Sequence, residues 1–174
     1  MADAADHDLD QVFGACTRGQ RKQSEIDVDK LSWYDLDATT APWLESIRLT
    51  AEQNPLLQKL LTNITLLWVV TEQGTIRICI EQSYEITSPS RRFARPRETD
   101  DNSRLLPLGH PMLTDDDTAR IAGELYLEQS GPNMIWVLSN KSARYGVGRS
   151  NAQLGNVVGR FANLGVLVDI YFLG

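Results

Sequence analysis

The sequence predicts an α+β domain, with a largely antiparallel sheet built from two β-hairpins and a C-terminal strand and with helices packed on it. Three observations predict it. Thr75–Glu81 alternates Ile76, Ile78 and Ile80 with Arg77, Cys79 and Glu81, and follows the apolar run Thr65–Thr71 across a Gln73-Gly74 turn. A second pair of strand-like runs, Ala119–Glu128 and Met134–Leu138, flanks the turn sequence Gln129-Ser130-Gly131-Pro132-Asn133. Thr40–Leu61 and Ala152–Leu164 instead space their apolar residues three and four apart, the helical pattern.

Taken in order, residues 1–30 are polar and rich in charge, with Asp3, Asp6, Asp8 and Asp10 at the front. They predict a flexible acidic tail holding at most a short helix near Leu9–Cys16. The domain proper is expected over 31–174. Thr40 is placed to cap a helix with Pro42 in its first turn and Trp43, Leu44, Ile47 and Leu49 along it. Pro55 interrupts it, and Asn54 caps a second helix carrying Leu56, Leu57, Leu60 and Leu61. The first strand of the hairpin that follows is apolar on both faces, which predicts an internal position in the sheet.

Residues 87–118 lose all periodicity and carry Pro89, Pro96, Pro107 and Pro111, so a long loop is expected there. It holds Arg91, Arg92, Arg95 and Arg97 around Phe93, then Glu98, Asp100 and Asp101. The arginines suit a nucleic acid or an acidic partner, while the acids just downstream suit an internally neutralised loop. After the second hairpin, Asn151 is placed to cap the last helix, with Leu154, Val157, Val158 and Phe161 on one side and Gly165 ending it. Val166–Leu173 is expected to be a final strand near the core.

Composition narrows the function classes. A hydrophobic content of 42% and a charged content of 23% are those of an ordinary globular domain. The net charge of −6 argues against a general nucleic-acid binder. Two histidines and the scattered Cys16 and Cys79 make neither a zinc site nor a disulfide framework, so no metal and no cofactor are expected. The acidic start is unlike an export signal and no apolar run reaches membrane length, so a cytoplasmic protein without membrane contact is expected.

Against that acidic background, residues 129–168 contain no Asp or Glu. They hold Lys141, Arg144, Arg149 and Arg160, and the stretch Ser139–Asn151 joins a strand to a helix. A helix N-terminus offers free N–H groups to an anion. Asn140, Lys141, Ser142, Arg144, Tyr145 and Arg149 are therefore the candidate ligand- or partner-binding residues, for a phosphate- or carboxylate-bearing ligand or for a protein. The competing reading is a solvated turn whose cations pair with the acidic remainder of the chain. Candidates for acid–base chemistry are Glu124, a carboxylate within an apolar strand, and His110, with Tyr145 beside them. Strand alternation also permits Glu124 to face outward, and a lone histidine in a Pro/Gly loop is more often a surface residue.

The order His110-Pro111, Ala122-Gly123-Glu124 and Asn140-Lys141-Ser142-Ala143-Arg144-Tyr145 resembles a pattern near the ends of some bacterial toxin and effector proteins. There an alanine-glycine-glutamate strand precedes an asparagine-x-serine-glycine-histidine-tyrosine loop. Ala143 stands at the glycine and Arg144 at the histidine. The resemblance covers only this part of the C-terminal half. It implies a bacterial origin and a setting of toxins, effectors or their immunity partners. The expectation that follows is a non-catalytic, immunity- or chaperone-like binding protein that engages a partner or an anionic ligand through residues 139–151. The alternative is an enzyme on a nucleotide-like or phosphorylated substrate, with Arg144 and Arg149 holding the anion and Glu124 or His110 as acid/base.

Overall fold

The computed structural model describes residues 4–26, 28–97 and 104–174. Its order is α1 (Ala4–Phe13), β1 (Thr17–Arg18), α2 (Gln23–Ile26), β2 (Tyr34–Asp35), α3 (Ala41–Gln53), α4 (Pro55–Leu61), β3 (Thr65–Val70) and β4 (Ile76–Ile80). There follow β5 (Gln82–Glu85), β6 (Ser88–Ala94), β7 (Leu105–Leu108), a 3-10 turn (His110–Leu113), β8 (Thr118–Ala119), β9 (Ile121–Ser130), β10 (Asn133–Ser139), α5 (Asn151–Asn163) and β11 (Val168–Tyr171). The fold is α+β. Its main sheet runs β11-β10-β9-β3-β4-β2, antiparallel throughout except for the β10–β11 pair.

Strand alternation sorts the side chains of this sheet onto two faces. Trp68, Val70, Ile76, Ile78, Ile121, Leu125, Trp136 and Leu138 meet α1, α3 and α5 in one core. Leu67, Val69, Cys79 and Ala122 point the other way. They are covered by Leu108 of β7, Met112 and Leu113 of the 3-10 turn and Tyr145 from the loop after β10. That cover stops part-way across, and the rest of the second face stays open. β3 is internal, flanked by β9 and β4, as its apolar faces predict.

Residues 4–26 are not a tail. Phe13 of α1 is fully buried, with Leu9 and Val12 packed beside it against the helix-side core. The buried Arg120 guanidinium ion-pairs with Asp10 and donates to the Glu72 carbonyl at 2.8 Å, which fastens α1 to the sheet. β1 then pairs with β8, and α2 sits against β7. Asp8 is exposed and Asp10 is taken up by Arg120, on a helix whose short apolar stripe of Leu9, Val12 and Phe13 packs against the core. Residues 1–3 lie outside the described residues.

The stretch 87–118 is not one long loop either. β5, β6 and β7 form a three-stranded sheet in the order β6-β5-β7, and the 3-10 turn after it is buried. Leu108, Met112 and Leu113 have no exposed surface, so the stretch is held by burial without periodicity. Residues 98–103 lie outside the described residues.

Three local expectations are corrected. Thr40 makes no capping bond to α3; the Asp37 carboxylate instead accepts from the N–H groups of Thr39 and Thr40 at 2.7 and 2.9 Å. Ser150, not Asn151, caps α5, in a reciprocal pair with Gln153. The last strand is an exposed parallel edge of four residues, with only Val168 packed against the core. Asn54 caps α4 through the N–H groups of Leu56 and Leu57, as expected.

Candidate functional site

The open half of the second sheet face is the floor of a cleft of about 930 Å³. Thr65, Glu124, Tyr126, Ser139 and Tyr171 reach it from four neighbouring strands, and Glu81 joins them just beyond β4. One wall is α4 with Lys59. Another is the segment Arg95–Arg97, tied down by Arg95 N–H to the Glu81 carbonyl (2.8 Å) and Arg97 N–H to the Asn63 carbonyl (2.9 Å). Lys141 closes the third side.

Glu124 is the sequence candidate that the fold puts at the centre. In the ladder it stands between Leu67 of β3 and Ser139 of β10. Burial pushes its carboxyl above the ordinary glutamate range, and Glu81 adds to this, while Lys141 and Arg97 oppose it. Lys141 Nζ lies 3.2 Å from the Glu124 carboxylate yet is 65% exposed, so its charge also faces the cleft mouth. Arg95 holds Glu81 at 2.7 Å. Arg97 reaches Glu128 at 3.2 Å and lies 3.8 Å over the Tyr126 ring. Four cations and two carboxylates among the lining residues leave the cleft formally positive by two charges.

The other candidates of the 139–151 loop turn inward. Arg144 Nη1 is 2.9 Å from Glu25, a carboxylate only 1% exposed that also accepts the N–H groups of Gly109 (2.9 Å) and Lys22 (2.7 Å). Arg149 donates to the carbonyls of Ala15 (2.8 Å) and Tyr145 (3.3 Å). Tyr145 is buried and donates to the Asp117 carbonyl at 2.6 Å; burial pushes its hydroxyl up to about 12. Ser142 accepts the Tyr145 N–H. Asn140 pairs with both backbone groups of Leu173, at 2.8 and 3.0 Å, and so fixes the chain after β11 beside the cleft. Gly146 is required here, because a Cβ would stand 1.9 Å from the Asn140 carbonyl oxygen.

His110 is buried, not on the surface. Its Nε2–H donates to the Gly123 carbonyl at 2.9 Å, and burial pulls it down to about 4. Of the acid–base candidates His110, Glu124 and Tyr145, only Glu124 lines the cleft; of the loop candidates, only Lys141 does, next to Ser139.

Sequence reasoning missed Lys59, Glu81 and Tyr171 as site residues. The arginine cluster carried a signal. Arg95 and Arg97 line the cleft, Arg92 donates to the Asp29 carbonyl at 2.7 Å, and Arg91 lies over Phe93. Strand parity was the other signal, since Glu81, Glu124 and Tyr126 all oppose the helix-facing residues.

Compared with protein families, with curated proteins and with solved structures, the chain gives no significant match. Among the described residues no three metal-ligating side chains cluster, and no helix is long and apolar enough to cross a membrane. The cleft can hold a polar ligand between fixed cations, with one carboxyl able to exchange a proton near its floor.

Proposed function

We propose that the protein is a non-catalytic binding module that holds a phosphate- or carboxylate-bearing ligand in the cleft over Glu124. The observation that carries this reading is a positive cleft on a chain of net charge −6. A concave site with an excess of one sign of charge draws counter-charged ligands toward it. Arg95 and Arg97 offer planar donor forks, and Lys141 a mobile point charge. The enzyme reading needs Arg144 and Arg149 on the substrate with Glu124 or His110 as acid/base, and of these four the cleft is lined by Glu124 alone. The resemblance of the His110–Tyr145 stretch to toxin and effector proteins supports a place for this module among their immunity partners or escorts.

Titration calorimetry with tripolyphosphate and with citrate tests the reading. Binding is expected at about 20 mM salt and is expected to weaken markedly at about 200 mM. Lys141→Ala and Arg95→Ala each weaken it about fivefold. Unaltered affinity in both cleft variants, or no binding of either anion, would sink the proposal.

A further inference from the structure

The cleft is part of a longer cationic track. The β5–β6 ladder reaches Gln82–Ala94, and the bond from Arg95 N–H to the Glu81 carbonyl carries it one pair further. Successive side chains of a strand alternate between its faces, so Arg91, Phe93 and Arg95 share one face and Arg92 takes the other. Arg92 accordingly turns back to the Asp29 carbonyl at 2.7 Å, opposite the buried Tyr84. Arg91 lies over the Phe93 ring, 5.5 Å from its centroid. Arg95, two residues on, lines the cleft beside its ion-pair partner Glu81. The row Arg91–Phe93–Arg95 therefore runs out from the cleft wall over about 13 Å.

Two observations say what this track fits. First, exposed rings stand among its cations. Phe93 is 39% exposed just outside the cleft, and Tyr171 is 53% exposed at the far end of the cleft floor. From β4 to β11 the floor crosses four strand spacings, about 19 Å. Second, Arg91 is exposed and makes no ion pair among the described residues, so its charge faces solvent. A small anion fills the cleft and leaves Arg91 and Phe93 unused. An acidic peptide matches the cations and leaves the rings without a stacking partner. A chain of phosphates with a flat base on each unit uses both, which is how cationic grooves lined with aromatic faces hold single strands. The chain as a whole has a net charge of −6 and repels a polyanion, which confines contact to the track.

We infer that the track from Arg91 to Tyr171 holds a single-stranded oligonucleotide. Phosphates meet Arg91, Arg95 and Lys141, and bases stack on Phe93 and Tyr171. The inference rests on the reading of the cleft as an anion site and names the class of ligand that fills it.

Fluorescence anisotropy at about 20 mM salt tests it, with a labelled thymidine octanucleotide, its uridine counterpart, an abasic octamer of equal charge and octaglutamate. The better of the two base-bearing strands is expected to bind at least about tenfold more tightly than the abasic strand and octaglutamate, and it identifies the sugar. Phe93→Ala is expected to weaken that strand about tenfold and to leave tripolyphosphate binding as in the parent, because Phe93 lies outside the cleft. Arg95→Ala weakens both ligands. Arg91→Ala, at an exposed side chain, is expected to reduce the slope of log affinity against log salt by about 0.7. Tyr171→Ala provides a second ring variant, and circular dichroism checks that each variant is folded. Equal binding of the abasic strand, or full affinity in folded Phe93→Ala and Tyr171→Ala, overturns the inference and leaves the cleft reading standing so long as tripolyphosphate binds. Octaglutamate binding as tightly as the base-bearing strands also overturns it and assigns the track to an acidic protein segment. If neither tripolyphosphate nor any strand binds, the cleft reading falls together with the inference.

Discussion

Lys141, Arg144 and Arg149 share one loop and one sign of charge, yet they do different work. Lys141 stays in solvent at the cleft mouth, while Arg144 is drawn to the buried Glu25. Removing one partner of a buried pair leaves the other charge without compensation, which costs more than the pair itself contributes. Arg144→Ala is therefore expected to destabilise the fold by about 3 kcal/mol in urea denaturation. Adding Glu25→Gln to it should recover part of that loss, because the orphaned charge is then gone. A loss below about 1 kcal/mol for Arg144→Ala, the range of an exposed pair, would show that the contact does not anchor the loop. The cations of this loop are plain in the sequence, but their directions are not. Glu25 is 119 residues away from Arg144, and nothing local announces that they meet.

At the scale of elements, what could be read from the sequence was what is written locally. β3, β4, β9, β10, α4 and α5 each carry their period or cap within a few residues, and each forms near its expected place. α1, β6 and β7 do not. α1 has a narrow apolar stripe set among acids, and β6 exposes most of its side chains. Their stability comes from what they pack or pair against. The cleft was hidden for the same reason, since its wall Arg95–Arg97 belongs to the stretch without period. The Ala122-Gly123-Glu124 run has a plain structural meaning. A Cβ on Gly123 would stand 1.7 Å from the Ser139 carbonyl oxygen, so β9 and β10 approach there as only glycine permits. Gly123→Ala is expected to cost about 3 kcal/mol by forcing the two strands apart. Gly155, inside α5, has nothing within 4 Å of its Cβ position. Gly155→Ala is expected to stabilise by about 0.5–1 kcal/mol, through helix propensity alone. Thermal melts that moved in the same direction for both variants would contradict this account of β9.

The whole molecule brings together two titrating groups whose shifts act on stability with opposite sign. His110 is held neutral by burial, with its folded value about 4 against 6.5 for the free side chain. The unfolded chain takes up that proton first as the pH falls. Stability is therefore fully present above about 6.5, declines below it and levels off near 4, a loss on the order of 3 kcal/mol. Glu124 is raised by burial, so its protonation on acidification favours the folded state in the window just above the ordinary glutamate range. The lowered carboxyls of Asp37, Glu45, Asp116 and Asp117 also cost stability in acid, as the pH falls below their ordinary values of 3.8 to 4.5. Between pH 6.5 and 5, then, the His110 effect should dominate. His110→Gln keeps a donor toward the Gly123 carbonyl and removes the titration. Urea denaturation at pH 7, 6 and 5 is expected to show stability falling in the parent and nearly flat in His110→Gln, with parent minus variant isolating this one proton. Parallel losses in the two proteins would mean that His110 is not the group that makes the fold acid-sensitive. The anion cleft should respond in the opposite way as the pH falls into the window just above the ordinary glutamate range, because protonating Glu124 removes a negative charge from its floor and releases Lys141. In titration calorimetry at pH 7, Glu124→Gln should bind tripolyphosphate about fivefold more tightly than the parent, and at each lower pH the difference between the two should narrow as the parent's Glu124 takes up its proton; equal affinities at pH 7 would contradict this role of Glu124.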